Sequence, residues 1–507
     1  MKFIKNSTDS PAQVLAQHGV QVDLLDKDLQ ALHSDQAALF VFNSIDTQLD
    51  HHLAAFILSR IKSNYQVLDP LLSIMVENPL LTEQEESPLK RKRIRKYLLN
   101  KINGGVNLGY VLTPPGGLGH LLTWVTERRL LRVVKNLTLP LIPVSINHHP
   151  DKPQWMQIRF GNPLNATHYR QLKKVGRLRR FLQVKIKALN SSLEVLSFFD
   201  PLEKNAGRDN PATIRPPVDK ALLQKDIEAL SSYHLLTSRG KYDVYTAKAH
   251  EIPHLMQEIG RLRELTFRDV GEGTGLAVDS DEYDLYYHQL FIWERDACAV
   301  IGGYRIGYGA EVFRQFGPEG LYISNLLKIN KRFYPYMEQA AELGRSFVIT
   351  SCQKQPLPLF LLWKGILCFL LRHPDIRYLY GPVSISKYIS TVSKSVIVAF
   401  IKKHLFDYNL SKYLTPRIPF NPNLEEKELQ MILQNLPDDI SALDHFLAEI
   451  EPTHIKVPVL IKQYARQNAR FICFNLDPHF SDALDGFMLL DLHNLPPDTL
   501  ETLKKEK

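Results

Sequence analysis

Residues 200–235, opening DPLEKNAGRDNPATIRPPVDK, are polar and proline-rich, and they interrupt a chain of 507 residues. Nothing there has the apolar periodicity of a core element, so the stretch reads as a linker and the chain as more than one domain. The boundaries that follow are 1–205 for the first domain, 206–235 for the linker and 236–507 for the second domain. On both sides of the linker, strand-like and helical patterns alternate, which points to an α/β fold with two layered domains. In the first half, ALFVFNSID, GYVLTPPGG, LTLPLIPVSINH and QWMQIRFGNPL read as strands, and HHLAAFILSRIKSNY as a helix. In the second half, YDVYTAKA and ACAVIGGYRIGYG read as strands and HLMQEIGRLRELTFRD as a helix. A further helix is expected around 331–343, then a strand after AELGR and an apolar helix over 358–372.

That last segment, LPLFLLWKGILCFLL (357–371), is the most apolar in the chain. It falls short of the ~20 residues a spanning helix needs, and Lys364 interrupts it. It reads as a buried helix lining a core or an apolar tunnel. The N-terminal MKFIKNSTDSPAQVLAQHGV has no apolar core of signal-peptide length. Four dispersed cysteines, Cys298, Cys352, Cys368 and Cys473, suggest neither a zinc site nor a disulfide framework, so no metal is expected and the compartment is read as reducing. The formal net charge is +8, which favours an anionic partner. Basic runs at 89–102 (Lys90, Arg91, Lys92, Arg93, Arg95, Lys96), 170–187 and, more weakly, 387–394 read either as solvated helix faces or as a surface for lipid headgroups or an acidic protein. No nucleic-acid motif accompanies them, so nucleic acid is not an expected partner.

The chemistry-bearing residues of the second half recur in order. Arg263 and Phe267 are four apart on a predicted helix and share a face. Asp279, Asp281 and Asp284 follow in DSDEYDLY, then Arg305 in GGYRI, then Glu342 and Arg345 in AELGRSFVIT. Arginines and carboxylates so gathered, in an apolar setting, imply an ion-paired cluster around a cleft.

These motifs, RLRELTFRDVGEGTG, DEYD, GGYRI and ELGRSFV, resemble the acyl-carrier-protein-dependent branch of the GNAT superfamily, which includes the acyl-homoserine lactone synthases and the ornithine- and glycine-lipid N-acyltransferases. The downstream LLWKGI, YLYGPVSISKYIS and IKVPVLIKQYARQNARFICFNLDPHFSDALDGFMLLDL resemble the lipid-synthase and hemolysin-like members, so the likeness runs over about 240–492. The resemblance implies a GNAT-like second domain whose catalytic cluster is Arg263, Phe267, Asp281, Asp284, Arg305, Glu342 and Arg345. It implies that Glu342 serves as the base, directly or through a water, while Arg345 and Arg305 orient the carboxylates or hold the acceptor's carboxylate. Backbone N–H groups of a splayed central strand would face the thioester carbonyl. The family's tryptophan has no counterpart between Phe267 and Asp279, which bears on substrate choice. The Q/R-x-x-G-x-G/A pyrophosphate loop of acetyl-CoA enzymes is also missing from RSFVITSCQKQPLPLF, which suits a carrier-protein donor.

The first half resembles the glycerolipid (lysophosphatidate-type) acyltransferases. Their N-H-P-x-x-x-x-D motif corresponds to NSIDTQLD, with Asp50 in place and Ser44 where the histidine belongs. Their phosphate-binding motif corresponds to PPGG, with Pro115, Gly116 and Gly117. Serine cannot accept a hydroxyl proton near neutral pH, and His51 and His52 lie out of register, so the domain is expected to be degenerate.

The expected function is therefore N-acyl transfer, moving a fatty or 3-hydroxyacyl group from acyl-ACP onto the α-amine of ornithine, glycine or a similar amino acid in aminolipid synthesis. The enzyme would need no cofactor beyond its donor substrate, acyl-ACP or acyl-CoA. The expected partners are acyl carrier protein, a small amino-acid acceptor and an anionic membrane surface, with the protein cytoplasmic and peripheral on the inner face. Two other readings stand beside this one: a bifunctional synthase whose first half adds an ester-linked chain, and a non-catalytic peripheral lipid-binding protein.

Overall fold

The computed structural model describes residues 10–24, 37–45, 49–68, 88–112, 120–137, 139–149, 152–165, most of 169–195, and 211–499 apart from 452–455, 478–479 and 481. The chain forms two compact units, Met1–Ser192 and Leu193–Lys507.

In the first unit, strands β1 (Gln21–Leu24), β2 (Leu39–Phe42), β3 (Tyr65–Leu68), β4 (Asn107–Val111), β5 (Leu141–His149) and β6 (Lys152–Phe160) form a sheet of order β1-β6-β5-β2-β4-β3. β2 pairs in parallel with both β4 and β5. A parallel strand with helices on its faces has no solvent side, and all four residues of Leu39–Phe42 are accordingly fully buried. The basic run 170–187 is not simply a solvated face: in the helix Val175–Ala188, Arg179 and Arg180 are buried, and Arg179 pairs with buried Glu127. At the other basic run, Arg95 and Lys96 are exposed on the helix Pro88–Asn103.

In the second unit, β7 (Leu235–Arg239), β8 (Tyr242–Lys248), β9 (His288–Glu294), β10 (Ala299–Tyr308), β12 (Ala340–Val348), β13 (Tyr378–Ile385), β15 (Arg470–Asp477) and β16 (Ala483–Asp491) build an eight-stranded sheet of order β15-β16-β13-β12-β10-β9-β8-β7. β11 (Leu327–Ile329) and β14 (Leu414–Pro416) pair separately.

Two expectations need correction. The segment 211–235 is not a linker. Backbone N–H groups of Ala212 and Arg215 donate to the carbonyls of Gly275 and Ala277 at 2.9 and 3.2 Å. A helix, Lys220–Ala229, is capped by Asp219, and buried Asp226 accepts from the backbone N–H groups of His254 and Leu255 at 2.7 and 2.8 Å. Its polar residues are caps and partners for the second unit, and composition cannot tell these from solvated ones.

Second, no helix reaches from 331 to 343. A single turn, Lys331–Phe333, and a short helix, Tyr334–Glu338, give way to β12 at Ala340, so AELGR lies inside a strand. Ala-Glu-Leu favours helix, but pairing between β10 and β13 overrides that local preference. The apolar helix Pro356–Arg372 packs on the sheet as core, the first of the two settings read from its sequence. Leu361, Leu362, Ile366 and Phe369 are buried, and a Cβ on Gly365 would come within 2.7 Å of Val244. Leu359 and Trp363 line a small void of about 10 Å³ with Tyr304, Leu460, Gln463 and Tyr464. Among the described residues, no helix is long and apolar enough to cross a membrane.

Candidate active site

The site forms where the central sheet opens. β12 and β13 run parallel and pair only from Ala340–Tyr378 to Glu342–Tyr380. Beyond that pair the ladder is not continued, while β13 stays paired with β16 as far as Ile385. Gly381 sits at the parting, where a Cβ would come 2.1 Å from the carbonyl oxygen of Leu343. Gly381→Ala is therefore expected to cost about 1–3 kcal/mol through forced backbone movement, read as a lower urea midpoint of the full chain.

β12 is also bulged. Against β10 its register passes from Arg305–Gly344 to Gly303–Phe347, so Arg345 and Ser346 together oppose Tyr304. Arg345 takes the positive φ (51°) that a bulge can require. In a regular strand, residues three apart point to opposite faces. The bulge breaks that alternation, and Glu342 and Arg345 both line a cavity of about 370 Å³ at the parting, together with Phe267, Arg305 and Tyr322.

Arg263 and Phe267 lie on one face of the helix Pro253–Asp269, both buried. Arg263 reaches Asp284 with Nη1 and Nη2 at 3.0 and 2.7 Å, and Asp279 with Nε at 3.2 Å. Asp281 and Asp284 come from a single turn, Glu282–Leu285, in which they form a capping box. Arg305 pairs with Asp281 at 2.5 Å and Asp284 at 3.2 Å. Arg345 pairs with Asp279 at 3.0 Å and Asp281 at 3.3 Å. Three guanidiniums thus meet three carboxylates, and the buried charges balance. Burial alone would raise the Asp284 carboxyl, but Arg263 and Arg305 overcome it and hold it well below the carboxylate range.

Glu342 is a fourth carboxylate outside this balance. It accepts from the Tyr287 hydroxyl and the Tyr322 backbone N–H, each at 2.9 Å. Burial pushes its carboxyl up to about 7 despite these donors and Arg305. Tyr322 is a hub that sequence reasoning passed over. Its N–H reaches Glu342, its ring lies 5.2 Å from the Arg345 guanidinium, and its hydroxyl donates to Asp477 at 2.7 Å. Tyr287 was missed as well. The aromatic run YDLYYH was its only signal, and apolar core explains such a run equally well.

The two faces of the opening differ. Arg305 turns towards the carboxylates, while its neighbour Tyr304 turns to the other side, hydrogen-bonded to Tyr464 and Ser346. There the cavity is bordered by Val459, Leu460 and Met488.

In the first unit, Ser44 Oγ donates to the Asp50 carboxylate, whose other oxygen accepts the Ile45 backbone N–H at 2.9 Å. Pro115, Gly116 and Gly117 lie outside the described residues. Among the described residues, no group of three or more His, Cys, Asp or Glu is placed to hold a metal ion.

Comparison with known proteins agrees with this architecture. Residues 262–363 match the acetyltransferase (GNAT) domain family. Over 261 residues the chain is 31% identical to a glycine N(alpha)-acyltransferase of Bacteroides thetaiotaomicron, covering 49% of this chain and 76% of the relative. Over 261 residues it is 29% identical to a glycine N(alpha)-acyltransferase of Phocaeicola vulgatus, covering 49% of this chain and 78% of the relative. No solved structure matches. An opened sheet with a bulged central strand, a matching domain family and relatives covered over three quarters of their length place the chain in the family of these glycine N(alpha)-acyltransferases, as an N-acyltransferase of the GNAT type.

Proposed function

We propose that the chain moves a fatty acyl group, with or without a 3-hydroxyl, from an acyl carrier protein thioester onto the α-amine of a small amino acid, glycine or ornithine, as a step in aminolipid synthesis. The observation that carries this reading is Glu342, a buried carboxylate left over from a charge-balanced cluster and placed where the sheet parts. The neutral amine attacks the thioester carbonyl to form the C–N bond. Glu342 takes an amine proton and returns it to the departing thiolate as the C–S bond breaks. Backbone N–H groups along the bulged stretch Leu343–Ser346 are the candidates to stabilise the oxyanion. The less charged face, with Tyr304, Val459, Leu460 and Met488, suits the pantetheine arm and acyl chain. The names of the relatives favour glycine as the acceptor. Exposed Arg95 and Lys96 suit an acidic carrier protein or an anionic, cytoplasmic membrane face.

The first unit is read as a degenerate glycerolipid acyltransferase-like domain, because the hydroxyl of Ser44 occupies the Asp50 carboxylate that would orient a catalytic histidine. Mass spectrometry of lipids from a bacterial host tests both units. The wild type is expected to add one N-acyl amino acid, and Ser44→His to leave that species unchanged. No new lipid from soluble protein supplied with glycine and ornithine would overturn the N-acyltransfer reading. A diacylated product in wild type would overturn the silent first unit.

Glu342 also sets a pH dependence. The base works unprotonated, so turnover is expected to rise with pH through about 7 and level off above it. A profile flat from pH 5 to 9 would remove Glu342 from the proton path; these bounds are about two units either side of neutrality, where protonation changes roughly a hundredfold.

A further inference from the structure

The cavity has a second charged wall that the acyl-transfer scheme does not use. It is built by β15 and β16 and carries Asp477 and Asp485, which are 1% and 4% exposed. Asp485 lies opposite Asn475 on β15 and Ser384 on β13. Its Oδ1 accepts from the Ser384 hydroxyl at 2.8 Å. Among the described residues, no donor reaches its other oxygen and no basic side chain forms an ion pair with it. Asp477, on the neighbouring strand, accepts from the Tyr322 hydroxyl. Glu272, beyond the end of the helix Pro253–Asp269, lines the same space. Burial pushes the Asp485 carboxyl well above its ordinary range, and Asp477 and Glu272 add to that rise.

A buried carboxyl beside another, without a cation of its own, is costly unless something from outside completes it. The same cavity is also lined by Arg305 and Arg345. A molecule with an ammonium at one end and a carboxylate at the other fits this polarity. We propose that Asp485, flanked by Asp477, is the subsite for the ammonium group of the amino-acid acceptor, with the guanidinium wall facing the acceptor's carboxylate. Tyr322 spans the two roles, its hydroxyl on Asp477 and its N–H on Glu342, and the ammonium gives up one proton before the amine attacks. The inference rests on the reading that the acceptor is a small α-amino acid.

The test compares glycine with propionate, which keeps the carboxylate and the size but lacks the ammonium, by calorimetry on the full-length chain. Wild type is expected to bind glycine at least about tenfold more tightly than propionate, roughly the contribution of one buried charged contact. Asp485→Asn should close that gap, and Asp485→Glu should restore part of it. In turnover with a long-chain acyl-ACP, Asp485→Asn should raise the glycine KM about tenfold while kcat falls far less and the donor KM holds. Wild type binding the two ligands equally, or Asp485→Asn weakening both alike, overturns the subsite. If wild type acylates no amino acid, the acyl-transfer reading fails, and the calorimetric gap still decides the subsite.

Discussion

Glu342→Gln is expected to fold normally and to lose turnover by about 10²–10⁴-fold, the usual contribution of a positioned general base. Glutamine keeps the shape and can still accept from Tyr287 and the Tyr322 N–H, but it cannot take a proton. The loss should fall on kcat, with the donor KM little changed, in an assay following thiol release from acyl-ACP. Stability adds an independent signature. The Glu342 carboxyl is raised in the folded state, so between its ordinary value of 4.5 and about 7 the folded chain binds more protons than the unfolded one. By linkage, wild-type stability falls as pH rises through that window, and the part due to Glu342 is absent from Glu342→Gln. A variant keeping activity within about threefold, well inside the range expected for losing a base, would assign proton removal elsewhere.

Asp284→Asn carries the largest expected effect on the fold. Asp284 accepts from Arg263 twice, from Arg305, from the Gln289 amide at 3.1 Å and from the Asp281 backbone N–H at 3.1 Å. Removing its charge leaves three buried guanidiniums facing two carboxylates. Breaking a buried pair in this way costs about 3–5 kcal/mol, to be read from the urea midpoint of the full chain. The double variant Asp284→Asn, Arg263→Met restores the charge balance and should be less destabilised than the two single costs combined. A loss under about 1 kcal/mol for Asp284→Asn would mean that the cluster contributes little to the fold.

The charged half of the site was legible in the sequence because its residues are conspicuous. Arginines and aspartates recurring among buried-prone apolar runs at Arg263, Asp281, Asp284 and Arg305 have few bland explanations, and the structure brings them into one network. Arg263 and Phe267 share a helical face because four residues make about one turn. Asp477 and Asp485 escaped notice for the opposite reason. Each is a lone carboxylate near a turn, in FNLDPHFSDALDGF, and only pairing of β15 with β16 and of β16 with β13 shows that both are buried against the same cavity. The segment 211–235 misled because polar residues that cap helices have the same composition as polar residues in solvent.

By itself the sequence determined the α/β class, the strands Leu39–Phe42, Asn107–Val111, Leu141–His149, Lys152–Phe160, Tyr242–Lys248 and Ala299–Tyr308, and the identity of the charged residues, because periodicity and residue type are local properties. Only the tertiary structure decided that AELGR is strand, that β12 parts from β13 at Glu342, and that a bulge at Arg345 turns both charges into one cavity. These are properties of pairing between segments far apart in the chain, where register and burial set side-chain direction and no local pattern records them.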